Sequence, residues 1–190
     1  LAQAGYTLAE HRSYLAGTLG LFIAVPGQQP APRAAVIGRL RHKVTPWTVL
    51  KDVYLLLNRL IPPYPRVRPG LYAVGEPDER SPVLVTGSFD LTVRRLVREI
   101  DGRVDAWVLV VDTAGINVWC AAGGGMLNAH AVISAVKTSG IEDRVDHRTL
   151  ILPQLSATGV DTAYVEAHTG WRCEFGPVYA RDLAAYHAAG

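Results

Sequence analysis

The residue in this chain best suited to hold a soft metal is Cys120, in the stretch Asn117-Val118-Trp119-Cys120-Ala121-Ala122-Gly123. The stretch follows the most strand-like run of the sequence, DAWVLVV over 105–111, and leads into Gly123, Gly124 and Gly125. In an open α/β sheet, ligands bind in the crevice outside the carboxyl ends of the strands. A thiol, a large aromatic and a run of small residues stand together at that place. A thiolate is a strong donor to soft transition metals, and a metal or a helix N-terminus makes it available by lowering the thiol's pKa. If Asn117 caps a short helix, Cys120 lies in its first turn, near the positive end of the dipole. A second reading stays open on the same residues, because a reduced cysteine packs as a small hydrophobe and is often interior.

The remaining chemistry-bearing residues form no recognisable site. His11, His42, His130, His147, His168 and His187 show no HExxH, HxxEH or paired spacing, which argues against zinc. There is no GxSxG elbow and no Cys/His pattern of a nucleophilic dyad. No GxGxxG opens the first helix and no GxxxxGK[ST] occurs, so nucleotide binding has no support. Two cysteines cannot build a disulfide framework or a four-cysteine iron–sulfur cluster. Free thiols fit a reducing, cytosolic compartment, and Cys173, in an apolar run, reads as core.

Composition bounds the class. The 190 residues are 49% hydrophobic and 19% charged, which is a globular profile long enough to bury a core. A net charge of +2 without a basic stripe gives no nucleic-acid footprint. Arg39, Arg41, His42 and Lys43 read as a solvated patch. No apolar run reaches the roughly 18 residues of a membrane span. The longest, Tyr14 to Val25, reads as a buried helix stopped by Pro26-Gly27. The chain opens on Leu1, as expected of a fragment or processed piece.

The elements that must position Cys120 follow from hydrophobic rhythm. Residues 1–65 read as a helical N-terminal extension with a Pro-rich linker. Thr7 is placed to cap a helix carrying Leu8, His11, Leu15, Leu19 and Phe22, and Gln28 to Pro32 reads as linker. Thr45-Pro46 starts a second helix, with Trp47, Leu50, Val53, Tyr54, Leu57 and Ile61 as a stripe for core or partner packing, ended by Pro62, Pro63 and Pro65. From Pro82 strands and helices alternate. Strands are expected at 83–86, 106–111, 149–152 and 171–175, and helices after Ser88 or Asp90, after Asn128, over 160–168 and over 180–189. Leu91, Leu96, Val97 and Ile100 would face inward on the first of these helices. The alternation argues for an α/β, Rossmann-like fold over 66–190, a mostly parallel sheet flanked by helices. Thr86-Gly87-Ser88, Asp112 to Trp119, Pro153 to Gly159 and Gly176-Pro177 would then leave one sheet edge. Along it, Thr86, Thr113, Gln154, Ser156, Thr158 and Gly159 are candidates to meet a flat ligand, although each is also an ordinary turn residue.

PGLYAVG, SPVLVTG, DAWVLVVDTAGINVWCAAG, HRTLILPQLSATGV and GWRCEFGPVYARDL together resemble the corrinoid-binding domain of the mercury-methylation corrinoid protein family (HgcA). More distantly, they are similar to the large subunit of the corrinoid iron–sulfur protein of the acetyl-CoA pathway. The likeness covers roughly residues 66–190. It implies a corrinoid cofactor, cobalamin or cobinamide-type, with Cys120 as lower axial ligand of its cobalt and Asn117, Val118, Trp119, Ala121, Ala122 and Gly123 around it. It also implies Hg(II) as substrate, methylated from methylcobalt, with a ferredoxin-like iron–sulfur reductant protein and a methyl-donor methyltransferase as partners. In that family the domain is cytoplasmic and tied to the inner membrane by a C-terminal transmembrane region beyond this chain. Gly124 stands where the family has Lys, which weakens mercury as substrate more than the corrinoid. A corrinoid methyl carrier of one-carbon metabolism and a cofactor-free interaction domain are the alternatives.

Overall fold

A computed structural model describes the backbone of residues 6–14 and 19–26 and, further on, residues 36–57 and 64–189. The chain divides into two compact units, residues 1–34 and 35–190.

In the first unit, β1 (Tyr6–Tyr14) and β2 (Leu19–Pro26) pair antiparallel, from Tyr6 opposite Pro26 to Tyr14 opposite Leu19. A bulge falls between Leu8 and Glu10. This corrects the helix expected over 7–25. Leu19, Leu21, Ile23 and Val25 recur at period two, the strand rhythm, and outweigh the helical spacing of Leu8, His11 and Leu15. The linker at Gln28 to Pro32 and the stop at Ile61 to Pro63 lie outside the described residues.

The second unit runs β3 (Gly38–Leu40), α1 (Pro46–Leu57), β4 (Gly70–Val74), β5 (Val83–Gly87), α2 (Asp90–Ile100), β6 (Ala106–Val111), α3 (Val118–Gly123), α4 (Ala129–Ser139), β7 (Thr149–Leu152), α5 (Thr162–Thr169), β8 (Arg172–Phe175) and α6 (Leu183–Ala188). Its six-stranded sheet has the order β3-β4-β6-β5-β7-β8. The expected α/β architecture is therefore present, a mostly parallel sheet flanked by helices. Segment 35–57, grouped by the sequence reading with the N-terminal extension, supplies β3 and α1 to this unit.

β5 and β6 are buried at every position, as continuous apolar runs must be when helices cover both faces. β5 lies parallel to β6 and to β7, and β7 parallel to β8, so these four strands end at one edge. β4 runs the other way, antiparallel to β6. One face is covered by α3, α4 and α5 over a core including Val118, Ala121, Leu127, Val132 and Trp171. The other carries Val93, Val97, Ile100 and Leu183 from α2 and α6.

Local sequence explains most helix ends. Thr45 Oγ1 accepts the N–H of Thr48 and Thr48 Oγ1 accepts that of Thr45, a reciprocal cap in front of Pro46. Asn128 Oδ1 accepts the N–H of Ala131, and Gly140, at φ +65°, closes α4 in the left-handed region. Asp161 Oδ1 accepts the N–H of Tyr164, so α5 starts at Thr162. α2 departs from expectation: Phe89 is its N-cap without a side-chain bond, and Ser88 points elsewhere. Val93 takes the inner position with Val97 and Ile100, while Leu91 and Leu96 stay half-buried. The 180–189 helix is a 3-10 turn, Ala180–Asp182, followed by α6. On α1, Trp47, Leu50, Val53 and Tyr54 are exposed and take no part in the core. That helix is held to α2 by Asp52 to Arg94 at 2.5 Å and Lys51 to Asp90 at 3.8 Å.

Candidate functional site on the carboxyl edge of the sheet

α3 begins seven residues past β6 because the intervening loop folds back on itself and Asn117 halts it. Asn117, in extended backbone, accepts the Cys120 N–H on its Oδ1 at 3.0 Å. That bond satisfies one of the free amides of the first turn. The same side chain donates from Nδ2 to Cys120 Sγ at 3.4 Å. Cys120 therefore sits in the first turn, its sulfur oriented by the cap, and it is exposed. The interior reading of this thiol does not hold.

The rest of the stretch splits by helix face. Val118, Ala121 and Ala122 are buried and pack α3 onto the sheet. Their small size answers to packing: a Cβ on Gly159 would lie 2.7 Å from Ala122 O and 2.6 Å from Leu127 O. Gly159 is thus the point where the loop after β7 presses on the end of α3. Trp119 is 64% exposed, so it does not anchor the helix, and Gly123 is open on its Cβ side.

The polar residues expected to meet a ligand fare unevenly. Thr113 is buried, with its hydroxyl donating to Ile116 O at 2.7 Å. Ser156 is buried and donates to Pro153 O at 2.7 Å. Both hydroxyls hold loops together. Gln154 and Thr158 are exposed on the loop after β7. Thr86 is buried on the wall of a cleft of about 360 Å³ that Val118, Leu152, Leu155, Gly176 and Tyr179 also line. Sequence reasoning missed the apolar rim of this edge. Leu155, Val178 and Tyr179 are 49%, 59% and 58% exposed on the segments following β7 and β8. The apolar pair Val178-Tyr179, just after Gly176-Pro177 at a strand's end, was the available signal.

Among the described residues, no group of three or more His, Cys, Asp and Glu could hold a metal ion by itself. The residues present fit a metal carried inside a cofactor: an exposed sulfur, oriented by an amide, on an edge rimmed by apolar side chains.

The model of the CO dehydrogenase/acetyl-CoA synthase delta subunit family matches residues 45–187, three quarters of the chain. The chain belongs to this family. As a family member it is 36% identical over 148 residues to the acetyl-CoA decarbonylase/synthase complex subunit gamma of Methanopyrus kandleri, covering 75% of this chain and 31% of the relative. The subunit gamma of Methanocaldococcus jannaschii is 36% identical over 142 residues, 72% of this chain and 28% of the relative. That of Methanothermobacter thermautotrophicus is 41% identical over 121 residues, 63% and 26% respectively. The chain thus spans less than a third of the length of these relatives. Of the two resemblances read from the sequence, the matches fall on the acetyl-CoA side. The family match begins at Thr45, the cap of α1, and ends within α6, so it takes in the whole edge around Cys120. No helix among the described residues is long and apolar enough to cross a membrane.

Proposed function

We propose that residues 35–190 are a corrinoid-binding methyl-carrier domain of one-carbon, acetyl-CoA-type metabolism, with Cys120 as the protein's ligand to cobalt. One observation carries the reading: Cys120 stands exposed at the carboxyl edge of the sheet, its sulfur held by the Asn117 amide. The family membership and the resemblance of the NVWCAAG stretch support it. When bound, the corrinoid supplies a cobalt centre that takes up and passes on a methyl group, chemistry that belongs to the cofactor.

The chain's own residues bind, ligate and shield. Cys120 supplies a soft donor, and thiolate ligation raises electron density at the metal, the lever known from thiolate-ligated haem. Trp119, Leu155, Val178 and Tyr179 offer apolar surface to a flat macrocycle and Gln154 and Thr158 offer hydrogen bonds to its amide arms. Gly123 leaves room for close approach. The acceptor in this reading is not mercury, and the partners are a methyl-donor methyltransferase and a ferredoxin-like reductant in the cytoplasm.

Hg(II) as acceptor is the second reading, supported by the resemblance of the NVWCAAG stretch to the mercury-methylation signature. Gly124 weighs against it. A lysine there would bring its Cβ to 3.0 Å from Cys120 O, so the residue change alters the contact made to the ligand's own turn. Titrating the protein with aquocobinamide, then assaying methyl transfer from methylcobalamin to Hg(II), tests both. Saturable binding without methylmercury supports the carrier. Methylmercury formed above the protein-free rate replaces it with the second reading, and no binding overturns both.

A further inference from the structure

The loop that delivers Asn117 is tied to the β5–α2 turn by a closed set of hydrogen bonds around Ser88 and Thr113. Ser88 Oγ accepts the N–H of Thr113 at 3.0 Å and of Gly115 at 3.1 Å. Thr113 Oγ1 accepts the N–H of Ser88 at 3.0 Å and donates to Ile116 O at 2.7 Å. That uses the one hydrogen of the threonine hydroxyl, so in the 3.3 Å contact between the two hydroxyls Ser88 is the donor. Every donor and acceptor of the pair is then used, in a site 0% and 1% exposed. Gly87 closes over it, since a Cβ there would stand 3.0 Å from Thr113 Oγ1.

The segment so fixed is one that would not hold its shape unaided. Ala114 has φ +53°, the left-handed region that residues with a side chain seldom adopt, and Asp112 Oδ1 accepts its N–H. Gly115 follows at φ +76°, and Ile116 and Asn117 come next. Persistent strain of this kind requires surroundings that over-determine the backbone. Here the buried hydroxyl pair does so at Thr113, Gly115 and Ile116.

We propose that Ser88 and Thr113 are positioning residues for Cys120. The pair sets the 112–117 loop, and through it the Asn117 side chain that holds both the amide and the sulfur of Cys120. The purpose assigned to this device, presenting the sulfur in one place before a ligand arrives, rests on the reading of Cys120 as a cobalt ligand. Its mechanics do not.

The test uses the full chain with Thr113→Val, which keeps shape and removes the hydroxyl, Thr113→Ser, which restores it, and Ser88→Ala. Amide hydrogen exchange and the rate of Cys120 carbamidomethylation at fixed pH are read on cofactor-free protein, then the visible spectrum with aquocobinamide. In Thr113→Val and Ser88→Ala the amides of Cys120 and Ala121 should exchange at least about tenfold faster, the effect of losing one buried hydrogen bond on local opening. Amides in β5, β6 and α4 should be unmoved, and Thr113→Ser should return the wild-type pattern. Should one variant fail to fold, the other carries the test. A uniform rise across the domain, or no rise at Cys120, overturns the proposal by giving the pair only a general structural role. A wild type that gives no thiolate–cobalt band overturns the ligand reading alone, leaving the exchange pattern to decide the positioning.

Discussion

At the scale of the residue, the two cysteines are placed for opposite fates. Cys173, in β8, is half-buried, and burial, with a further push from the Glu166 charge, raises its thiol to about 11. Cys120 is exposed and receives a hydrogen bond from an amide. Since the thiolate is the nucleophile and the metal ligand, iodoacetamide at pH 8 should modify Cys120 and spare Cys173, as peptide mapping will show. Preferential labelling of Cys173 would contradict this contrast. Residue types announced some of these roles and concealed others. Asn117 and Asn128 each precede an apolar run, and both cap the helix they were expected to cap. Ser88, Thr113 and Ser156 were harder to place, because a hydroxyl that locks a loop and one that meets a ligand look alike in a sequence. Only the fold shows that Thr113 reaches Ser88, 25 residues away, and that Ser156 turns back to Pro153.

At the scale of the element, α1 is attached by charge more than by burial. Leu55 is its one buried apolar side chain among those described, while Asp52 meets Arg94 at 2.5 Å. That hydrogen bond holds the Asp52 carboxyl below the usual carboxylate range. A depressed pKa in the folded state means the contribution is fully present above the ordinary value, about 4, and fades as pH falls through the lower, folded one. Asp52 is 48% exposed, so solvent screening keeps the worth of the pair under about 1 kcal/mol. Asp52→Asn should therefore lower stability by that much at pH 7, in urea unfolding, and by progressively less below pH about 4. A deficit that stays constant or grows on acidification would contradict the assignment. Elements that rest on local patterns were legible in the sequence: Thr45-Pro46 for α1, the unbroken apolar run of β6, and Asn128 with Gly140 for α4. Those that rest on distant pairing were not. Nothing near Gly70–Val74 says that it must lie antiparallel to β6, and three-residue β3 exists only as a partner for β4.

At the scale of the whole molecule, the parallel set β5, β6, β7 and β8 ends at one edge and delivers there the four loops that the sequence marked. The order of strands explains why residues far apart in sequence share that edge. Ser88, Thr113 and Leu155 all leave neighbouring strands within it. A fold of this kind hosts many activities, so the fold does not decide the function and the edge must. At that edge Cys120 is the proposed cobalt ligand. Cobalt K-edge X-ray absorption on the aquocobinamide-loaded protein tests that most directly. The wild type should show one sulfur scatterer in the cobalt shell, replaced by a lighter atom in Cys120→Ala while the corrinoid stays bound. A wild-type cobalt shell of nitrogen and oxygen only, unchanged in Cys120→Ala, would contradict it.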